Sequence, residues 1–212
     1  MGLPKIGAYA LPAAHEIPES RVGWTPEPHR AALLIHDMQN YFVRAFTPDA
    51  SPIAPAIANI NRLRAMCDAL GIPVIYSAQP GYQDPRDRGL QSDIWGPGMG
   101  SDPEHAGIFA DLAPGPDQIV LTKWRYSAFQ RTNLEHVLRV RGRDQLIISG
   151  VYAHIGCMLT AADGFMRDFQ PFFVADALAD FSRERHDMAV SYVADRCGRA
   201  ISTDVLLGEL RA

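Results

Sequence analysis

Asp144–Phe165 reads DQLIISGVYAHIGCMLTAADGF. Its first half, DQLIISG, is a short apolar run bounded by a charge and a glycine, the pattern of a strand buried on both faces. From Ala153 to about Arg167 the chain reads as a helix. A buried strand passing directly into a helix is the unit from which parallel sheets with helical cover are built. The junction also carries Cys157, one of three cysteines in the chain. Its chemistry turns on whether that thiol is a nucleophile or a small apolar side chain.

The same alternation extends in both directions. AALLIHD, Ala31–Asp37, is an apolar run ending in a charge, a buried parallel strand. SPIAPAIANINRLRAMCDALG follows, with Ala56, Ile60, Leu63, Cys67 and Leu70 on one helical face and Gly71 as the stop. IPVIYSAQ, Ile72–Gln79, is the next strand. From Pro80 to Pro116 the Gly, Pro and Asp content predicts mostly loop with one short helix. QIVLTK, Gln118–Lys123, makes a third strand, and TNLE at Thr132–Glu135 has the form of a capping box opening a helix. PFFVADA is the fifth strand. Ser182 precedes a helix with Ala189, Tyr192, Val193 and Cys197 on its apolar face. RAISTD and VLLGELRA supply a last strand and helix. The expectation is α/β: a single doubly wound domain with a mostly parallel sheet of about six strands and helices on both faces. Pro4, Pro12, Pro18, Pro26 and Pro28 make residues 1–30 an extended N-terminal arm.

At 212 residues the chain can bury a full core without disulfides or a structural metal. Its formal charge of -4 gives no electrostatic reason to bind nucleic acid or a membrane surface. No apolar run approaches the ~20 residues of a bilayer span, and the N-terminus lacks a signal-peptide pattern. Cys67, Cys157 and Cys197 are widely spaced, which suggests reduced thiols and a cytoplasmic protein.

In open parallel sheets, ligands bind beyond the carboxyl ends of the strands. Those ends carry Asp37, Gln79, Lys123 and the turn Tyr152–Gly156. A carboxylate, an amide, an ammonium and a glycine turn are thereby directed to one rim. His36 and His154 have neither H-x-x-x-H spacing nor a Cys/His cluster, so structural histidines are expected, with no metal.

The segments RAALLIHDMQNYFV, IPVIYSAQPG, DIWGPGM, LTKWRYSAF, GVYAHIGCMLTAADGFMRD and PFFVADALADFS together resemble the isochorismatase branch of the isochorismatase-like hydrolase superfamily. The resemblance spans almost the whole chain. It is similar both to the isochorismatase domain of catechol-siderophore pathways and to the phenazine-pathway hydrolase of 2-amino-2-deoxyisochorismate; GVYAHIGCM through VADALADFS looks closer to the first. The superfamily includes cysteine amidases whose nucleophile ends a G-V-x-x-x-x-C pattern. Counted from Gly150 and Val151, that place is Gly156. One residue at a helix start turns a side chain by about 100°, so Cys157 is expected to pack as a small hydrophobe.

The resemblance implies cofactor-free hydrolysis of an enol ether. Such a substrate offers no acyl carbon to a thiolate. Protonation of its terminal vinyl carbon gives an oxocarbenium ion, water captures it, and the hemiketal collapses to pyruvate and a cyclohexadiene diol. The resemblance makes Asp37 the general acid and Lys123 its partner. It makes Gln79 and Arg88 carboxylate anchors, with Arg86 the neighbour if the loop register slips. Tyr152 is implied as a hydrogen-bonding residue, and Trp95, Tyr126 and Phe42 as an apolar wall. Gly156 is expected to leave room for the ligand and to turn an N–H toward its oxygens. The implied partner is a small dianionic molecule; self-association and contact with pathway enzymes stay open. A cysteine amidase and an inactive interaction protein are the rival readings, the second weakened by the presence of Asp37, Gln79, Lys123 and Tyr152. The chain stops at Ala212, after the last expected helix, so one domain over 1–212 without a carrier domain is expected: a free-standing hydrolase or a fragment of a longer fusion.

Overall fold

Six apolar runs form six parallel strands in the computed structural model, which describes residues 3–211. They are β1 (Ala31–His36), β2 (Val74–Ala78), β3 (Ile119–Thr122), β4 (Gln145–Val151), β5 (Gln170–Ala179) and β6 (Arg199–Ile201), in the order β3-β2-β1-β4-β5-β6. The chain therefore winds outward twice from β1, the doubly wound arrangement expected. Met1, Gly2 and Ala212, at the tips of the expected arm and last helix, lie outside the described residues.

Strand alternation divides the core into two layers. Ala31, Leu33 and Ile35 of β1 face one cluster, covered by α1 (Ile53–Leu70) and, beyond it in the chain, the helix Thr203–Arg211. Ala32 and Leu34 face the other, covered by α2 (Leu134–Arg139), α3 (Met158–Phe165) and α4 (Arg183–Arg196). Thr203–Arg211 is α5. A fully buried Leu, Ile or Phe is worth about 1.5–3 kcal/mol over leaving it exposed, so these layers hold the strand ends in register.

Several local expectations change. Leu70 and Tyr192 are partly exposed at 37% and 45%, because each sits at the margin of its helix's apolar stripe. The segment 80–116 holds three short α-helices, Pro85–Arg88, Gln91–Trp95 and Pro103–Ala106, and a 3-10 turn, Ala110–Leu112, where one short helix was expected. Asp84 and Asp102 cap two of them, each followed by a proline at the first helical position, a start signal that outweighs the loop-like composition. The TNLE capping box does not form: Thr132 Oγ1 accepts from the Leu134 N–H, and the Glu135 carboxylate instead pairs with Arg167 and Arg139. Finally, Ala153–Cys157 is a π-helical turn before α3 begins. The N-terminal arm has one 3-10 turn, Ala14–Glu16, and Ile6 bridges to Phe46.

Candidate active site

The loops beyond β1, β2, β3 and β4 enclose a pocket lined by all nine residues singled out above: Asp37, Gln79, Arg88, Lys123, Tyr152, Gly156, Trp95, Tyr126 and Phe42. Arg86 lies outside it, exposed and paired with Asp84.

Asp37 follows directly on β1 with φ 49°, a left-handed conformation that non-glycine residues adopt at some energetic cost. The bend turns its carboxylate toward neighbouring strand ends. Oδ1 accepts from Ser77 Oγ at 2.7 Å; Oδ2 accepts from Gln79 Nε2 at 3.0 Å and meets Lys123 Nζ at 3.0 Å. Burial by itself would raise the carboxyl's pKa, but the Lys123 ammonium and the hydrogen bonds from Gln79 and Ser77 outweigh it and hold the group below the usual carboxylate range. The free site therefore contains an ionised Asp37. Lys123 is 1% exposed and its ammonium also donates to the Arg125 carbonyl at 2.6 Å, so its head is fixed from two directions.

Arg88 is the contrasting cation. It is 5% exposed, donates from Nε to the Gly96 carbonyl at 2.6 Å, and has no carboxylate within ion-pair distance among the described residues. Burial pushes its guanidinium pKa down. Against one carboxylate, two cations leave the pocket with a positive charge, a setting suited to an anionic ligand.

The apolar wall is aromatic. Tyr152 packs on Phe181 with centroids 4.5 Å apart, and Phe42 stands edge-on to Tyr152 at 5.9 Å. The Tyr152 hydroxyl donates to the Phe42 carbonyl at 3.1 Å, so its proton is engaged within the protein and its oxygen is left as an acceptor. Trp95 Nε1 donates to the Tyr126 hydroxyl at 2.7 Å, which frees that hydroxyl's proton for a further acceptor.

Two expectations fare differently. Cys157 is fully buried in the second core layer, away from the pocket lining, and burial pushes its thiol well above the usual range. The space beside Gly156, expected to be left for a ligand, is taken by His36: a Cβ at 156 would lie 2.1 Å from His36 Cε1.

Sequence reading missed four contributors. Ser77 lies two residues before Gln79, and the period of a strand puts both on one face. Gln39 is fully buried and clamps the Gln79 backbone, accepting from its N–H at 2.7 Å and donating to its carbonyl at 2.8 Å. Asp180 accepts from the His154 N–H and ring at 2.6 Å each and from the Phe181 N–H at 2.7 Å, joining the Tyr152–Gly156 turn to the aromatic wall. Gly98, with φ 79°, lets the Arg88 guanidinium lie against its backbone, since a Cβ there would be 2.4 Å from Nη1.

Known proteins are similar to this chain in sequence and in fold. The family model for the isochorismatase domain matches residues 31–205, every strand and every rim residue included. The chain belongs to the isochorismatase family. It is 56% identical to the isochorismatase of Bacillus subtilis over 211 residues, covering 100% of this chain and 68% of that protein. With the phenazine biosynthesis protein PhzD1 of Pseudomonas aeruginosa it shares 47% identity, covering 97% of this chain and 99% of that one. The crystal structure of a cysteine hydrolase from Pseudomonas syringae pv. phaseolicola superposes with a TM-score of 0.81 at 24% identity, covering 92% and 97% of the two chains; at that identity the likeness concerns the fold. Within this isochorismatase-family chain no described helix is long and apolar enough to cross a membrane.

The burial of Cys157 makes a direct expectation. Cys157→Ala should keep activity within a few-fold of wild type while losing on the order of 1 kcal/mol of stability, as for truncation of a small core hydrophobe. A well-folded variant without activity would return the thiol to the mechanism.

Proposed function

We propose that the protein hydrolyses the enol-ether bond of isochorismate to 2,3-dihydro-2,3-dihydroxybenzoate and pyruvate. The observation that carries this reading is the Asp37–Lys123 pair facing a pocket that also holds a buried Arg88 with no carboxylate in reach among the described residues and has a glycine at position 156. Such a site has a carboxyl to move a proton and cations for carboxylates, and offers no thiol for acyl chemistry.

The depressed Asp37 must be reconciled with its role, because a general acid has to carry a proton. A dianionic substrate entering a pocket with one excess positive charge reverses the local sign. Its carboxylates engage Arg88 and Lys123, the stabilisation of the Asp37 carboxylate falls away, and Asp37 takes up a proton from solvent as the complex forms. Asp37 then delivers that proton to the vinyl carbon. Gln79 and Ser77 keep the carboxyl oriented in both protonation states. Water adds to the oxocarbenium carbon and the hemiketal collapses, returning the proton balance to its start. Phe42, Trp95, Tyr126 and Phe181 limit water around the cation to the molecule that captures it.

A second reading is the same reaction on 2-amino-2-deoxyisochorismate, giving 2,3-dihydro-3-hydroxyanthranilate; the 47% identity to PhzD1 across nearly all of both chains supports it. The two substrates differ only at the C2 substituent, so side-by-side measurement of pyruvate release, as kcat/KM, decides between them. The bond cleaved is tested by turnover in H₂¹⁸O. Capture at the oxocarbenium carbon puts the new oxygen on pyruvate, so the ring product should contain no ¹⁸O. Label in the ring product means water attacked the ring carbon, and the protonation mechanism falls.

A further inference from the structure

His36 has no step in the reaction just described, yet two glycines are shaped around it. Its main chain pairs with Gly150 across β1 and β4, where a Cβ would lie 2.2 Å from the His36 carbonyl oxygen and where Gly150 takes φ 108°. Its ring occupies the ground where a side chain at 156 would start, 2.1 Å from Cε1 and 2.7 Å from Nε2. Both glycines belong to the passage from β4 into α3, so one segment is hollowed twice for one residue.

The ring is also held at both ends. Nδ1 donates to the Val151 carbonyl at 2.7 Å, and Nε2 stands 3.3 Å from the Tyr126 carbonyl. Nδ1 lies 3.9 Å from Asp37 Oδ2. The shorter contact marks Nδ1 as the protonated nitrogen. Burial, with Lys123 adding to it, favours the neutral ring, against the opposing pull of Asp37 and the two carbonyls. The imidazole thus touches the end of β4, the loop after β3 and the turn at 156, while its own backbone carries Asp37 as the next residue.

We propose that His36 is a positioning residue for the hydrolysis: seated in the hollows of Gly150 and Gly156, it fixes the Val151–Gly156 turn and the Lys123–Tyr126 loop in register with Asp37. Gly156 is then required by His36, and the ligand has no need of the space beside it. The inference rests on the reading of Asp37 as the proton donor.

Three variants test it: Gly156→Ala, His36→Asn and the double variant. Asparagine keeps an N–H near the place of Nδ1 and lacks the ring atoms that a Cβ at 156 would strike. A displacement of about 1 Å in a catalytic site can cost roughly 10²-fold in rate, and a loss of about that size in kcat is expected for Gly156→Ala, with a lowered Tm. His36→Asn should lose roughly tenfold in kcat with KM within about threefold, the pattern of a disturbed transition-state geometry. The double variant should recover both kcat and Tm to the His36→Asn level, the non-additivity of groups in contact. Losses that multiply, or a wild-type kcat in His36→Asn, overturn the proposal. Should Gly156→Ala be insoluble, a soluble and active double variant supports it and an insoluble one overturns it. If the wild type itself releases no pyruvate from either substrate, the activity reading fails; the Tm values still decide the coupling, and an unrescued Tm sinks it.

Discussion

Asp37→Asn is expected to bind substrate and release almost no pyruvate. The amide can reproduce the hydrogen bonds around it. With its oxygen in the place of Oδ2 it accepts from Gln79 Nε2 and Lys123 Nζ, and its NH₂ faces Ser77 Oγ, which has lone pairs to accept from it and from the residue 37 N–H. It cannot deliver a proton to carbon. Loss of general-acid catalysis alone predicts a fall of at least ~10²-fold in kcat. KM should hold or drop, because Lys123, relieved of its counter-ion, is free to meet a substrate carboxylate. A second signature follows from the depressed pKa of Asp37. Its folded-state pKa lies below the ordinary value, so the free enzyme at neutral pH holds the carboxylate, and substrate binding must bring in about one proton if Asp37 is the acid. Rapid mixing with a pH indicator should record that uptake in the wild type and none in Asp37→Asn. A variant that turns over at the wild-type rate, or that still takes up the proton, would put the acid elsewhere.

The four inner strands, β1, β2, β4 and β5, were legible because each is a short apolar run, and burial on both faces of a parallel sheet leaves no other use for such a run. β3, at the sheet's edge with Val120 49% exposed, shows the same run with less burial behind it. The rim residues Asp37, Gln79 and Lys123 were legible for a related reason: a polar residue closing an apolar strand stands where an open sheet binds ligands. Local signals did not reach what depends on contacts distant in sequence. Gln39 holds the backbone of Gln79, and Asp180 holds the turn at His154; each is an ordinary polar residue until the sheet brings the two segments together. The left-handed turn at Asp37 is invisible as well, since aspartate has no local need for φ 49° and only the surrounding hydrogen bonds maintain it. Gly156 was read correctly as a place without a thiol and incorrectly as free space. The imidazole that fills it comes from a residue far away in the chain, and no pattern along one strand–helix passage announces that neighbour.

Arg88→Met should separate binding from stability. Arg88 lies in the pocket wall at 5% exposure, held by the Gly96 carbonyl and, at 3.3 Å, by Gln83 Oε1, with no carboxylate in reach among the described residues. A cation desolvated without a counter-ion opposes folding, as the lowering of its pKa by burial records. Methionine has similar reach and no charge, and it can lie along the same path over Gly98. The free protein should therefore keep its Tm or gain a few degrees. The complex should suffer. If Arg88 holds a substrate carboxylate, removing one partner of a buried charge pair costs about 2–5 kcal/mol. That converts to a loss in kcat/KM of roughly 30- to several-thousand-fold at 1.36 kcal/mol per decade. Because the carboxylate is present in ground and transition states alike, most of the loss should fall on KM. A variant with KM near wild type would remove Arg88 from substrate binding, and one with a Tm far below wild type would make its bonds to Gly96 and Gln83 the reason it is buried. The predicted combination, a protein at least as stable and unable to hold its substrate, belongs to a residue whose counter-ion arrives with the ligand.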